Sequence, residues 1–239
     1  MEVVISQPRY LPALNYLQRL AFADRFIILD TVQRQARGHE NRNKLRIPDV
    51  KWLTIPVASS SRALICDSVI QDKQWLADHR RTIEQNYMDH PHFDENILSL
   101  YYAGVEEEIE LSGRYSFVLL RLVRNACDIL GIHPNLMLAS EIQEASGAPR
   151  DGADKLYQLC QAVGATRYIS GPFGRKYGIV EAFSPSDISV AYHRFEHPVY
   201  SQPDTQDFIP YLGFLDAVFC AGVRWTANMA NQPPDLETF

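Results

Sequence analysis

Val3-Val4-Ile5-Ser6-Gln7-Pro8 and, twenty residues on, Phe26-Ile27-Ile28-Leu29-Asp30 are the two runs whose reading decides the fold. Each is a short apolar burst rich in β-branched residues, and each ends in a polar or helix-breaking residue, which is the pattern of a buried strand closed by a turn. Between them Leu14, Leu17, Leu20 and Ala21 recur at helical spacing, with Pro12 close to the first turn, where its missing N–H costs nothing. Strand, helix and a continuously apolar second strand make a βαβ unit, and such units build parallel sheets covered on both faces.

Working outward, Thr31 to Arg46 is polar and strongly basic with no period for helix or strand, and is expected to be a loop at the carboxyl edge of the sheet. Trp52-Leu53-Thr54-Ile55-Pro56-Val57 reads as an edge strand. From Gln74 to Leu130 the pattern is helical: Trp75, His79, Ile83 and Tyr87 share one face, Gly113 breaks the run, and Phe117, Leu120, Val123 and Cys127 resume it before Gly131 caps it. The acidic run Glu106 to Glu108 reads as a solvated face. Leu136 to Leu138 is expected as a strand, Asp154 to Val163 as a helix ended by Gly164, Arg167 to Ser170 as a strand, Gly171 to Gly178 as a loop before a short helix, Ile188 to Tyr192 as a strand, and Leu212 to Ala221 as the final helix. The expected architecture is α/β, a mostly parallel Rossmann-like sheet in one unit over 1–239, with a helical insertion or cap at about 72–131.

The bulk properties narrow the function. A chain of 239 residues with 46% hydrophobic residues has ample material for a core. A net charge of -6 argues against binding DNA by phosphate neutralisation. Cys66, Cys127, Cys160 and Cys220 form no CxxC pair, and no signal peptide or apolar span near membrane length is visible, so a cytoplasmic protein without membrane insertion is expected. His90 and His92 have no third ligand nearby and no metal is expected.

Ligands of open α/β sheets bind beyond the carboxyl ends of the strands. That rule gathers Gln7 and Tyr10 after the first strand, Asp30, Gln33, Asn41, Arg42 and Asn43 after the second, and Ser170, Gly171, Arg175, Lys176 and Tyr177 after a late one. The last loop could bring backbone N–H groups and two cations to a phosphate, or be a plain turn, since it is neither a Walker loop nor GxGxxG. His79 is the candidate general base, with a half-buried histidine satisfied by a neighbour as the ordinary alternative.

Several of these segments carry a resemblance. Val4 to Leu17, Ala23 to Gln33, Asn41-Arg42-Asn43, Trp52 to Val57, the Trp75, His79, Tyr87 helix, Tyr168-Ile169-Ser170-Gly171 with Tyr177, Tyr192, and Tyr200-Ser201-Gln202 together resemble the WbqC-like family across nearly the whole chain. Ala13 and Asn15 depart from the tryptophan and glycine frequent in that family. The resemblance implies a role beside O-antigen and lipopolysaccharide genes: transfer of an acyl or aminoacyl group, such as glycyl, to the amine of a dTDP- or UDP-linked 4-amino-4,6-dideoxyhexose. On that reading His79 is the base, Asn41 and Tyr10 assist, and Tyr87 joins the substrate-binding set. The donor is a co-substrate, a carrier-protein thioester, coenzyme A thioester or aminoacyl-tRNA, with no tightly bound cofactor and an acyl carrier protein as a candidate partner. A fainter similarity links Gln7 to Asp30 with the opening of HxGH nucleotidylyltransferases, with Tyr10-Leu11-Pro12-Ala13 in the signature's place and both histidines missing. Nucleotidyl or phosphoryl transfer, and a non-catalytic glycan- or carrier-binding module, are the alternatives.

Overall fold

The computed structural model describes residues 1–239 except 36, 48, 59, 61, 147–151, 185, 204–206 and 239. In chain order the described elements are β1 (Glu2–Ser6), α1 (Leu14–Phe22), β2 (Arg25–Ile28), β3 (Arg42–Ile47), β4 (Asp49–Thr54), α2 (Gln74–Tyr87), α3 (Glu95–Tyr101), α4 (Val105–Leu111), α5 (Tyr115–Ile129) and β5 (Leu136–Leu138). Then follow α6 (Ala139–Ser146), α7 (Gly152–Ala162), β6 (Arg167–Ser170), a 3-10 helix (Pro172–Tyr177), α8 (Ile179–Phe183), β7 (Ser189–Arg194), α9 (Phe214–Ala221), α10 (Val223–Ala230) and β8 (Asp235–Thr238).

The protein is α/β. Six strands form one sheet in the order β5-β2-β1-β6-β7-β8, parallel throughout except for the antiparallel edge strand β8. Strand residues alternate between two cores, as the period of two requires. Val4, Phe26, Ile28, Ile169 and Ala191 face one core, which also takes Tyr16, Leu17 and Leu20 of α1 and the apolar stripes of α5 and α9. Val3, Ile5, Ile27, Tyr168, Val190 and Tyr192 face the other, closed by α7 and α8. The sheet is thus buried on both sides, which is why β1 and β2 read as unbroken apolar runs.

The βαβ opening, the helices after Gln74 and the later strands fall where the sequence places them. Trp75, His79, Ile83 and Tyr87 are all buried on α2, and Gly131 takes a positive φ of 62° while Ile132 N–H closes back on the Cys127 carbonyl, the expected helix stop. Two expectations need correction. Arg42 to Arg46 is not loop: with Ile47 it forms β3, and β3 pairs with β4 as a separate antiparallel hairpin rather than at the edge of the main sheet. Leu212 to Ala221 is not the last helix, because α10 follows it and packs against α1.

Candidate functional site

The strand order reverses direction between β1 and β6. From β1 the chain crosses by α1 on one face to β2, and from β6 it crosses by the 3-10 helix and α8 on the other face to β7. Loops leaving the two strands therefore part, and the gap at their carboxyl ends is the place for a ligand. A crevice of about 680 Å³ occupies it, bounded by Ser6 to Arg9 after β1, Thr31 to Gln33 after β2, and Ser170 to Gly174 after β6. Lys155 and Leu156 of α7 close one wall, and Phe173 and Tyr177, 72% and 67% exposed, form a lip.

The crevice is cationic although the chain is acidic. Arg9 and Arg19 approach the Tyr16 ring with guanidinium carbons 5.6 and 5.4 Å from its centroid. Arg19 is buried, and its Nε donates to the Asn15 carbonyl at 3.3 Å. Burial, and then the charge of Arg9, push its pKa down to about 10, so it stays charged at neutral pH but uncomfortably. Burial likewise lowers Arg9. Lys155, also buried, donates to the Thr31 carbonyl at 2.6 Å. Gly171 lies so close to Arg19 that a Cβ would stand 3.1 Å from Nη1, and one on Gly174 would stand 1.9 Å from Ser170 Oγ. Glycine at these two places lets the backbone come up to the cation and to the end of β6.

At the opposite lip the loop before β3 supplies His39 and Glu40. Glu40 is the sole carboxylate among the described residues that line the crevice. Its Oε1 accepts the Gln35 N–H at 2.8 Å, while the buried Oε2 has no hydrogen-bond partner. His39 stands exposed at the mouth, 5.7 Å from the Trp52 ring. Partial burial, then the charges of Arg9, Arg42 and Lys44, lower its pKa to about 4, so the imidazole is neutral and able to accept a proton.

Of the residues chosen from sequence, Gln7, Gln33, Ser170, Gly171 and Tyr177 line this crevice. The others lie elsewhere. Tyr10 and His79 are together, but in a buried aromatic cluster with Trp75: Tyr10 Oη lies 2.8 Å from His79 Nδ1 and 2.6 Å from Tyr102 Oη. The His79 ring also bonds the Thr54 backbone, and burial lowers its pKa to about 4. Asp30 accepts from the Ser140 N–H and Oγ at 2.9 and 2.7 Å, fixing the start of α6, and burial raises its pKa. Asn43 Nδ2 donates to the Leu11 carbonyl and buried Asn41 reaches the Ile55 carbonyl at 3.5 Å. Arg42 stacks 4.0 Å above Trp52. Tyr87 donates to Asp216 at 2.6 Å and accepts the Arg46 N–H. Arg175 pairs with Glu237 at 2.6 Å, and Lys176 is exposed beside it.

Sequence reasoning passed over Arg9, Arg19, His39, Glu40 and Lys155. A signal existed for Arg19, a charged residue embedded in the apolar run from Leu14 to Ala21. For His39 and Glu40 the signal is their place inside the basic stretch, next to Asn41 and Asn43. Among the described residues there is no group of three or more His, Cys, Asp or Glu placed to hold a metal ion, and no helix is long and apolar enough to cross a membrane.

Comparison with known proteins gives one consistent result. The profile of the WbqC-like protein family matches residues 7–227. The "Uncharacterized protein Rv1507c" of Mycobacterium tuberculosis is 30% identical over 226 residues, covering 93% of this chain and 95% of that protein. No solved structure matches.

Proposed function

Because the chain belongs to the WbqC-like protein family, we propose that it serves surface polysaccharide biosynthesis by transferring an acyl or aminoacyl group to the amine of a nucleotide-linked amino sugar. The observation that carries this reading is the crevice at the β1/β6 junction, where Arg9, Arg19 and Lys155 converge with the Gly171–Gly174 backbone in a protein of net charge -6. Buried Arg19 and half-buried Arg9, with Glu40 as the one carboxylate among the described lining residues, suit a diphosphate, which offers several acceptor oxygens to planar donors.

The chemistry needs no protein nucleophile. With acceptor and donor held in line, the neutral amine attacks the thioester carbonyl, the N–C bond forms, the C–S bond breaks, and the thiolate leaves. The amine's proton passes to a base and from there to the leaving sulfur. His39 is the base we assign, in place of His79, because it lines the crevice and is exposed with its ring bonded to Asn43, whereas the equally neutral His79 is buried in the helical layer with Nδ1 against Tyr10. Of the groups that lower His39, Arg9 is the one the diphosphate would meet, and offsetting its charge raises the imidazole part of the way back, while burial, the larger cause, stays.

The test is incubation of the purified protein with dTDP- and UDP-linked 4-amino sugars and, in turn, carrier-protein, coenzyme A and aminoacyl-tRNA donors, with mass spectrometry of the sugar. The expected product is the sugar nucleotide heavier by one acyl group, formed about a hundredfold or more slowly by His39→Gln. Turnover lost in a folded His79→Ala protein, with His39→Gln unaffected, would return the role of base to His79.

A further inference from the structure

The contacts around the crevice put its groups in order. Gly171, on the loop that leads to Phe173 and Tyr177, touches Arg19; Arg19 and Arg9 share the Tyr16 ring; and Arg9 acts electrostatically on both His39 and Glu40. From one lip to the other the sequence is aromatic pair, two guanidinium groups, then imidazole and carboxylate. A ligand that matches it is anionic in the middle and cationic at one end.

The carboxylate end is built with care. Glu40 is 2% exposed, one oxygen is pinned by the Gln35 N–H, and the other has no partner. That second oxygen lies where a Cβ on Gly38 would come within 1.7 Å, so any side chain at that position would displace it. A buried carboxylate oxygen without a donor is expensive to keep in an apoprotein, and the expense vanishes when a ligand brings an N–H to it.

We propose that Glu40 Oε2 receives the primary amino group of the acceptor sugar, which binds as the ammonium and yields its extra proton to solvent before the neutral amine attacks, and so fixes the direction in which the substrate lies: nucleobase toward Phe173 and Tyr177, diphosphate between Arg19 and Arg9, amino group at Glu40 beside His39. This assignment rests on the nucleotide-sugar reading above and adds the residue that tells an amino sugar from its hydroxyl counterpart.

Calorimetric titration of the full chain tests it with three probes: inorganic pyrophosphate, a dTDP- or UDP-linked 4-amino-4,6-dideoxyhexose, and the same nucleotide sugar bearing hydroxyl at that carbon. The wild-type protein is expected to favour the amino sugar by about tenfold to a hundredfold. Glu40→Gln is expected to abolish that preference while binding pyrophosphate at least as tightly as the wild type, because the charge removed faces Arg9, and that binding also reports that the variant is folded. Glu40→Asp, which keeps the charge, should retain part of the preference and supplies the answer should Glu40→Gln not fold. A preference that survives Glu40→Gln, or a wild type that binds pyrophosphate yet does not distinguish the two sugars, overturns the assignment of Glu40 alone. Failure of the wild type to bind pyrophosphate or either nucleotide sugar overturns the nucleotide reading beneath it.

Discussion

Replacing Arg19 by methionine should separate the demands of folding from those of binding. A guanidinium whose proton is held only to about 10 rather than 12.5 is roughly 3 kcal/mol less stable as a cation than it is in water. Methionine is uncharged and fills most of the same volume, so that penalty disappears. Against it stand the lost contact with the Tyr16 ring, about 1 kcal/mol, and the lost bond to the Asn15 carbonyl, another ~1 kcal/mol. The balance is a gain near 1 kcal/mol, which for a chain of this size raises the melting temperature by about 2–4 °C. Affinity for a nucleoside diphosphate should move the other way, weakening about tenfold to a hundredfold through loss of a charge-assisted bond. Differential scanning fluorimetry and calorimetric titration of the same Arg19→Met preparation read both numbers. A melting temperature lowered by several degrees with unchanged affinity would make Arg19 a packing residue and refute the reasoning.

Two further outcomes follow from buried polar groups away from the crevice. His79 and His193 are held neutral, each down to about 4 from 6.5, so the unfolded chain takes up protons that the folded chain refuses. Their contribution to stability is complete above about pH 6.5, is lost as the pH falls toward about 4, and amounts to about 3 kcal/mol each, with the raised Asp30 carboxyl opposing it. Urea midpoints between pH 7 and 4 should fall accordingly, with a smaller fall in His193→Gln; an equal fall in that variant would contradict the assignment. Asp216 accepts from Tyr87 and Tyr200 at 2.6 Å and from Gln202 at 3.2 Å, all buried. Asp216→Asn puts an amide N–H against one of these donors and should lower the melting temperature by roughly 5–15 °C, an expectation that thermal melting of the variant checks directly.

How much was legible in the sequence follows from how local each signal is. The βαβ opening was readable because Val3 to Ile5 and Phe26 to Ile28 are buried on both faces and so carry unbroken apolar runs. The β3 strand was not, because its alternation sets the cations Arg42 and Lys44 against buried Asn43 and Leu45, and a polar residue facing inward hides the period of two. The crevice was located by the rule for open sheets, yet most of the side chains chosen to fill it turned inward or outward. Asn41, Asn43 and Tyr10 come from segments near strand ends and His79 and Tyr87 from α2, but each reaches a partner from another part of the chain, such as Ile55, Leu11, Tyr102, Tyr10 or Asp216, which no local pattern announces.

The residues that do line the crevice break the burial rules of their own elements. On α1, Tyr16 to Leu20 are five consecutive buried residues, because the helix is wedged between the sheet and α10, and a charge at Arg19 has no place in such a stretch on grounds of packing. Lys155 is buried near the start of α7, and Glu40 is buried with an oxygen unpaired. His79 and Tyr87, by contrast, sit at helical spacing on the buried face of α2 with hydrogen-bond partners for the His79 ring and the Tyr87 hydroxyl. Local inconsistency in an otherwise consistent sequence marks where folding has given way to function. By that criterion a buried cation inside an apolar helix is a stronger pointer to a ligand than a histidine at helical spacing, and the proposed function turns on Arg19 rather than on His79.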